Sequence, residues 1–267
     1  MELRLDDTGF GGLEIFQQPE EFCYGIDAVL LAGFAAAGAA AKGAGKVSGD
    51  GAVRSYSSAC LNFRIMDLGT GTGIIPLILS HKTEAGYIGG VEIQENSFRL
   101  AEQNAAYNGL SDRLHFFHRD VFDFAAEGTE DESLCGQFDL VTSNPPYTAG
   151  NCGIESANRA KAIARHETSA TLSDFIAAAS RLLKFRGDFY MVHRPSRLAD
   201  ICENCRKYGL EPKEMCFVSG KPMEKPNILL VHCVKGGNSE LRILKPLSVH
   251  TENGDYSEEI LKLYEKR

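Results

Sequence analysis

The chain has 267 residues, of which 43% are hydrophobic and 24% charged, with a formal net charge of −8. That balance supports a sizeable core and excludes a chain too polar to fold, while the longest apolar stretches fall short of the roughly 18 residues that suggest a membrane helix. The opening "MELRLDDTGFGG" has acids where a signal peptide needs basic residues, so a cytoplasmic protein is expected.

Residues 1–37 form a leading segment, ending in the helix-like run "AVLLAGFAAA". Residues 38–58, "GAAAKGAGKVSGDGAVRSYSS", are rich in Gly, Ala and Ser without apolar period and are expected to be a flexible insertion. From residue 59 to 267 strand-like and helix-like segments alternate. "FRIMDLG" predicts a strand, "IIPLILSHK" a helix, "YIGGVEI" a strand, and "NSFRLAEQNAAYNG" a helix ending at Asn108–Gly109. "LHFFHRD" and "FDLVTSN" are the next strands. After a long loop, "LSDFIAAASRLLKF" predicts a helix with Ser173 as its N-cap. "GDFYMVHR", the helix "SRLADICENCRKYG", and the closing strands "EMCFVS" and "NILLVHCVK" complete the order. Such alternation predicts one α/β domain with a mostly parallel sheet covered on both faces, whose ligands bind beyond the carboxyl ends of the strands.

Eight cysteines are scattered along the chain, several inside apolar runs where Cys acts as a small hydrophobe. Cys202 and Cys205 form a lone C-x-x-C with no second pair to complete a zinc site, so no metal is expected. Charge is unevenly placed. Residues 1–150 carry 9 Lys and Arg against 21 Asp and Glu, whereas residues 151–267 carry 19 against 15. Arg159, Lys161, Arg165, Arg181, Lys184, Arg186, Arg194 and Arg197 all fall in the basic part, which permits a polyanionic substrate; singly, each reads as a solvated helix face.

The chemistry-bearing motifs fall at strand ends. "MDLGTGTG" is a glycine-rich strand-to-helix turn; Gly69 and Gly71 let the backbone turn sharply and approach a ligand. Asp67 stands just before it, where a pyrophosphate would be repelled but a cation would not. Glu92 ends the next strand, 19 residues beyond Gly73, where an acid commonly grips ribose hydroxyls. Asp120 ends the third. One acid alone reads as a helix cap, but three in succession fit a ligand with a ribose, an amino base and a positive charge, as in S-adenosylmethionine.

The fourth strand ends in "SNPPY". Asn144 offers an amide oxygen and Pro145 a backbone carbonyl, and the two prolines, Pro145 and Pro146, stiffen the corner that holds them. Two such acceptors suit a conjugated amino group, drawing its nitrogen towards tetrahedral geometry and offsetting its developing positive charge. Tyr147 supplies a ring on which a flat base can stack.

"DLGTGTG", "VEI", "RD" and "SNPPY" together resemble the class I S-adenosylmethionine-dependent methyltransferases of the N-P-P-Y amino-methylating branch. "GGLEIFQQPEEFCYGIDAVLLAGF", "ARHE", "HRPSRLADI" and "ILLVHCVKGGNSELRILKPLSVHTENGDYSEEI" extend the resemblance to the bacterial family that methylates adenine N6 beside the anticodon of a valine tRNA. The 38–58 stretch looks foreign to that family. The resemblance implies a Rossmann-like class I fold with a seven-stranded sheet, one strand reversed, and S-adenosylmethionine contacts at Asp67, Gly69, Gly71, Glu92 and Asp120. It implies that Asn144, Pro145, Pro146 and Tyr147 hold the target adenine of an RNA, expected to be a tRNA. Tyr24, Gly25 and Asp27 would lie near the cofactor, from a leading segment that covers it; Asp27 reads equally as the N-cap of "AVLLAGFAAA". His166 in "ARHE" reads as structural, since amino-group transfer of this kind needs no base.

Three other readings share parts of the pattern. Methyltransferases of a protein glutamine amide use the same corner but place a helical domain before the glycine turn, and about 60 residues precede it here. DNA adenine-N6 methyltransferases would need a base-flipping target domain, for which no segment of that size is evident. A non-catalytic S-adenosylmethionine-binding protein would have no use for an intact Asn-Pro-Pro-Tyr set.

Overall fold

Strands that are apolar on both sides of the pleat have no solvent face, and must be covered by helices above and below. The computed structural model, which describes residues 3–20, 23–45, 62–125, 132–147 and 170–266, has that arrangement. A two-stranded antiparallel hairpin, β1 (Arg4–Asp7) and β2 (Glu14–Gln17), precedes helix α1 (Ile26–Ala41). Then β3 (Arg64–Leu68), α2 (Ile74–Lys82), β4 (Tyr87–Glu92), α3 (Glu95–Tyr107), β5 (Leu114–His118) and the short α4 (Phe122–Ala125) follow in turn. The chain goes on through β6 (Phe138–Ser143), α5 (Leu172–Leu182), β7 (Leu183–His193), α6 (Leu198–Lys207), β8 (Leu210–Ser219) and β9 (Ile228–Lys235). It closes with β10 (Arg242–Ile243), β11 (Leu247–Ser248) and α7 (Glu258–Leu263).

The sheet order is β5-β4-β3-β6-β7-β9-β8, with β10 and β11 both on the outer edge of β8. Strands β3 to β7 are parallel to one another, and β9 runs against both β7 and β8. The expected seven strands with one reversed are therefore present, but the described sheet has nine. The tail after β9 returns along β8 and satisfies the backbone groups that an edge strand leaves unpaired.

Successive residues of each strand feed opposite cores. Ile65, Leu140, Tyr190 and Leu230 pack with α1 and α2, whereas Met66, Val141, Met191 and Val231 pack with α5 and α6.

The structure corrects several local readings. Residues 38–41 are not loop but the last turn of α1, with Ala39 fully buried; alanine is both a helix former and small enough to pack without leaving a visible apolar period. Residues 46–58 of the expected insertion lie outside the described residues, as do Arg159, Lys161, Arg165 and His166. The N-cap of α5 is Thr171, whose hydroxyl pairs with Asp174 in a capping box. Ser173 sits two residues into the helix and bonds the Tyr208 hydroxyl at 3.0 Å instead.

Within the leading segment lies a hairpin that the periodicity did not predict. Asn104 on α3 and Asn108 at its C-cap, one turn apart, clamp the free edge of β2: Phe16 N donates to Asn104 Oδ1 at 2.7 Å and Glu14 N to Asn108 Oδ1 at 3.0 Å. Their amide nitrogens return bonds to Phe16 O at 3.2 Å and Glu14 O at 2.7 Å. Each amide thus stands in for a neighbouring strand.

Candidate active site

Because β3 to β7 are parallel, their carboxyl ends share one edge of the sheet. The order turns at β3, which has β4 on one side and β6 on the other, so the loops leaving β3 and β6 diverge and open a crevice. Asp67, the glycine turn and Glu92 lie on one side of it, and the Asn144–Tyr147 corner on the other.

Asp67 is fully buried beside Thr142 of β6, whose hydroxyl donates to Asp67 Oδ1 at 2.7 Å. Among the described residues Oδ2 has no hydrogen-bond partner of good geometry, although the Thr70 hydroxyl stands near enough to act on the carboxyl. Burial pushes the Asp67 pKa up to about 7, against the opposing pull of the two threonine hydroxyls and with a further push from the charge of Glu92.

Gly69, Gly71 and Gly73 have φ of 71°, 58° and 86°, the left-handed region that side chains avoid. A Cβ at Gly71 would meet no atom within 4 Å, so the turn opens there onto space rather than packing. The Gly71 amide donates to Glu92 Oε2 at 2.8 Å and the Gln94 amide to Oε1 at 2.8 Å. Glu92 is buried, which raises its pKa, while those two amides hold it down. With the Ile93 amide as a third donor, the carboxylate still has acceptor capacity for one further donor. Asp120 is half-buried and caps α4, its Oδ1 accepting from Phe122 N at 2.9 Å.

At the corner, Pro145 is buried, Pro146 exposed, and Asn144 and Tyr147 half-buried. The Tyr147 hydroxyl stands 3.0 Å from Asn144 Oδ1 and 2.8 Å from Asp27 Oδ2. Asp27 is therefore not the N-cap of α1: that position is Gly25, with no side-chain cap, and Asp27 lies in the first turn facing the corner. Tyr24, half-buried, donates its amide to Gln17 Oε1 at 3.1 Å, and burial raises the pKa of its hydroxyl.

Two residues that meet the corner escaped the sequence reading of roles. Arg194 places its guanidinium 4.7 Å from the centroid of the Tyr147 ring and is anchored by Asn227 O at 3.0 Å. His193, at the end of β7, meets the same ring at 5.1 Å and 61°. Burial first, then the charges of Arg197 and Arg194, push its pKa down to about 4, and its Nδ1 accepts from Arg194 N at 2.8 Å. A strand-end "HR" after an apolar run is the only local signal for either. Of the other described basic residues singled out by sequence, Lys184 binds Asp139, Arg186 bonds Gly236 O, and Arg197 pairs with Asp200, while Arg181 meets the Cys135 sulfur at 3.8 Å.

Among the described residues no group of three or more His, Cys, Asp or Glu could hold a metal, and no helix is long and apolar enough to cross a membrane. Cys205 and Cys233 are buried free thiols with their sulfurs 3.6 Å apart, and Cys202 is half-buried on α6.

A family model described as a methyltransferase domain matches residues 61–258. A tRNA1(Val) (adenine(37)-N6)-methyltransferase of Porphyromonas gingivalis is 30% identical over 245 residues, covering 90% of this chain and 86% of that protein. A protein of the same description from Flavobacterium johnsoniae is 29% identical over 201 residues, covering 75% of this chain and 82% of that one. Among solved structures, a predicted O-methyltransferase from Agrobacterium tumefaciens superposes with a TM-score of 0.65 at 21% identity, covering 90% of this chain and 95% of that one. That last likeness is one of fold. The family model and the relatives together span most of the chain, glycine turn and corner included, and by them the chain belongs to the tRNA1(Val) (adenine(37)-N6)-methyltransferase family of methyltransferase-domain proteins.

Proposed function

We propose that this chain transfers a methyl group from S-adenosylmethionine to the exocyclic N6 of an adenine in tRNA, the reaction for which its relatives are named. The observation that carries the reading is the position of Asn144–Tyr147 at the carboxyl end of β6, directly beside the strand that carries Asp67 and leads into the glycine turn. The cytoplasm, where thiols stay reduced and tRNA is found, is the compartment this reading expects.

The acid-lined side of the crevice fits the cofactor. A buried carboxylate oxygen without a good partner, an open cradle at Gly71 and remaining acceptor capacity on Glu92 suit a cationic, hydroxyl-rich ligand and not a pyrophosphate. Glu92 would take the ribose hydroxyls, Asp120 the base amino group, and Asp67 with Gly69 and Gly71 the amino acid portion. Tyr24 and Gly25 would border it from the leading segment. When bound, the cofactor would supply an electrophilic methyl carbon on a positive sulfur, which would leave as a neutral thioether with the bond's electron pair.

On the other side Asn144 Oδ1 and the Pro145 carbonyl would accept the two N–H bonds of the target amino group, and the Tyr147 ring would stack on the base. The prolines hold both acceptors in place before the substrate arrives, so little reorganisation is left to the reaction. The surplus proton passes from nitrogen to water. His193, neutral and with Nδ1 already accepting a backbone amide, packs the ring and takes no proton.

The test is transfer of labelled methyl from S-adenosylmethionine to total bacterial tRNA, with nucleoside analysis. N6-methyladenosine is expected from the wild type, and a fall of about 10²-fold or more in rate from Asn144→Ala, with cofactor affinity kept. A normal rate from that variant would remove the corner's assigned role. Incorporation into protein and not RNA would overturn the substrate.

A further inference from the structure

The Tyr147 hydroxyl has one proton and faces two acceptors, Asp27 Oδ2 at 2.8 Å and Asn144 Oδ1 at 3.0 Å. Asn144 Oδ1 is also the atom that the proposed reaction needs as acceptor for the target amino group. If the tyrosine proton points at Asn144, it competes with the substrate for that oxygen. If it points at Asp27, the amide oxygen stays available, and the hydroxyl can present only lone pairs to it.

We infer that Asp27 is a positioning residue that draws the Tyr147 proton to itself and so keeps Asn144 Oδ1 open for the target N–H. The inference rests on the function proposed above. A carboxylate is a stronger acceptor than an amide oxygen, and its bond is the shorter of the two. The carboxylate is itself held in place. Its other oxygen accepts from Ala28 N at 3.0 Å in the first turn of α1, where a negative charge suits the helix dipole. Gly25 leaves it room: a Cβ there would come within 2.8 Å of Asp27 Oδ1. Asp27 thus acts from 120 residues away on the corner, on the substrate side of the crevice.

A double-mutant cycle tests this, with kcat, KM for tRNA and cofactor affinity measured for Asp27→Ala, Tyr147→Phe and the double variant. Asp27→Ala is expected to lower kcat about tenfold, with cofactor affinity within about twofold of wild type. In the Tyr147→Phe background, where no proton is left to misdirect, the same substitution should cost less than about twofold. That rescue is the signature, since a merely structural role for Asp27 would persist when the hydroxyl is gone. Asp27→Asn, which keeps size and an acceptor but not charge, should fall between and serves if the alanine variant does not fold. An equal loss of kcat in both backgrounds, or loss of cofactor affinity with kcat preserved, overturns the inference. Full activity of Asn144→Ala in the same assay would instead sink the reading on which it rests.

Discussion

Asp67 shows how much a single residue's surroundings add to its identity. Its place before the glycine turn is plain in the sequence, but its chemistry comes from Thr142 and from complete burial, both brought by β6 from 75 residues away. With its pKa raised to about 7, the folded protein holds a proton between about pH 4 and 7 that the unfolded chain has released. The unfolded state binds fewer protons in that window, so this group makes stability fall as pH rises through it, and the loss is complete above about 7. His193 runs the other way: its folded pKa of about 4 lies below its unfolded value, so the penalty grows as pH falls from about 6.5. Urea titrations of wild type and Asp67→Asn from pH 4.5 to 7.5 separate the two. The variant should gain on the wild type steadily as pH rises; parallel curves would mean the carboxyl is ionised throughout. Asp67 could be singled out from the sequence as a candidate, and the contact of Asp27 with the corner could not. A strand-end acid beside glycines is a local signal, whereas Asp27 meets Tyr147 only through the fold.

At the scale of elements, most strands and helices of the core follow closely from the apolar runs, because they are buried on a full face and many are punctuated by glycine or asparagine; α5 runs straight into β7 at Leu183 without such a break. The hairpin of β1 and β2 does not follow from such runs. Each strand has four residues, and its edge is completed by side-chain amides of α3 instead of by a partner strand. Asn104 carries the most of that junction, since its amide nitrogen also donates to Thr72 O in the glycine turn at 2.9 Å and so ties hairpin to turn. Asn104→Asp replaces two donated bonds by a buried acceptor facing carbonyls, and should cost about 3 kcal/mol. The hydrogen exchange of the Glu14 and Phe16 amides would speed up first. If exchange there is unchanged, the amide clamp does not hold the hairpin. The misplaced α5 cap has a similar origin: Thr171 and Ser173 are both plausible caps, and only the pairing with Asp174 selects the former.

For the whole molecule, the crevice joins the acids and glycines at the ends of β3, β4 and β5, proposed to hold the cofactor, to the corner at the end of β6 with β7 and the start of α1, proposed to hold the substrate. Because only the folded chain has this crevice, cofactor at about 100 times its Kd should add about 2.7 kcal/mol of stability. In a chain of this size that is a rise in Tm of roughly 5–10 °C. Glu92→Ala should remove most of the rise by taking away the proposed ribose acceptor, and an unchanged shift would remove that assignment. The tail also acts at this scale. Tyr264 stacks on Phe10 at 5.1 Å and Glu265 pairs with Lys82 at 2.9 Å, which closes α7 and the hairpin around the end of α2.

By itself the sequence determined the alternation of strands and helices, the three strand-end acids, the glycine turn and the Asn-Pro-Pro-Tyr corner. Each of these is written in contiguous residues, and burial or backbone geometry acts on such stretches directly. Only the tertiary structure decided that Asp67 is buried against Thr142, that Arg194 and His193 face Tyr147, that β10 and β11 extend the sheet, and that Asp27 and Asn144 share one hydroxyl. Those pairings join residues far apart in the chain, and no local propensity encodes them; they exist only once the sheet has set its strand order and brought the carboxyl ends to one edge.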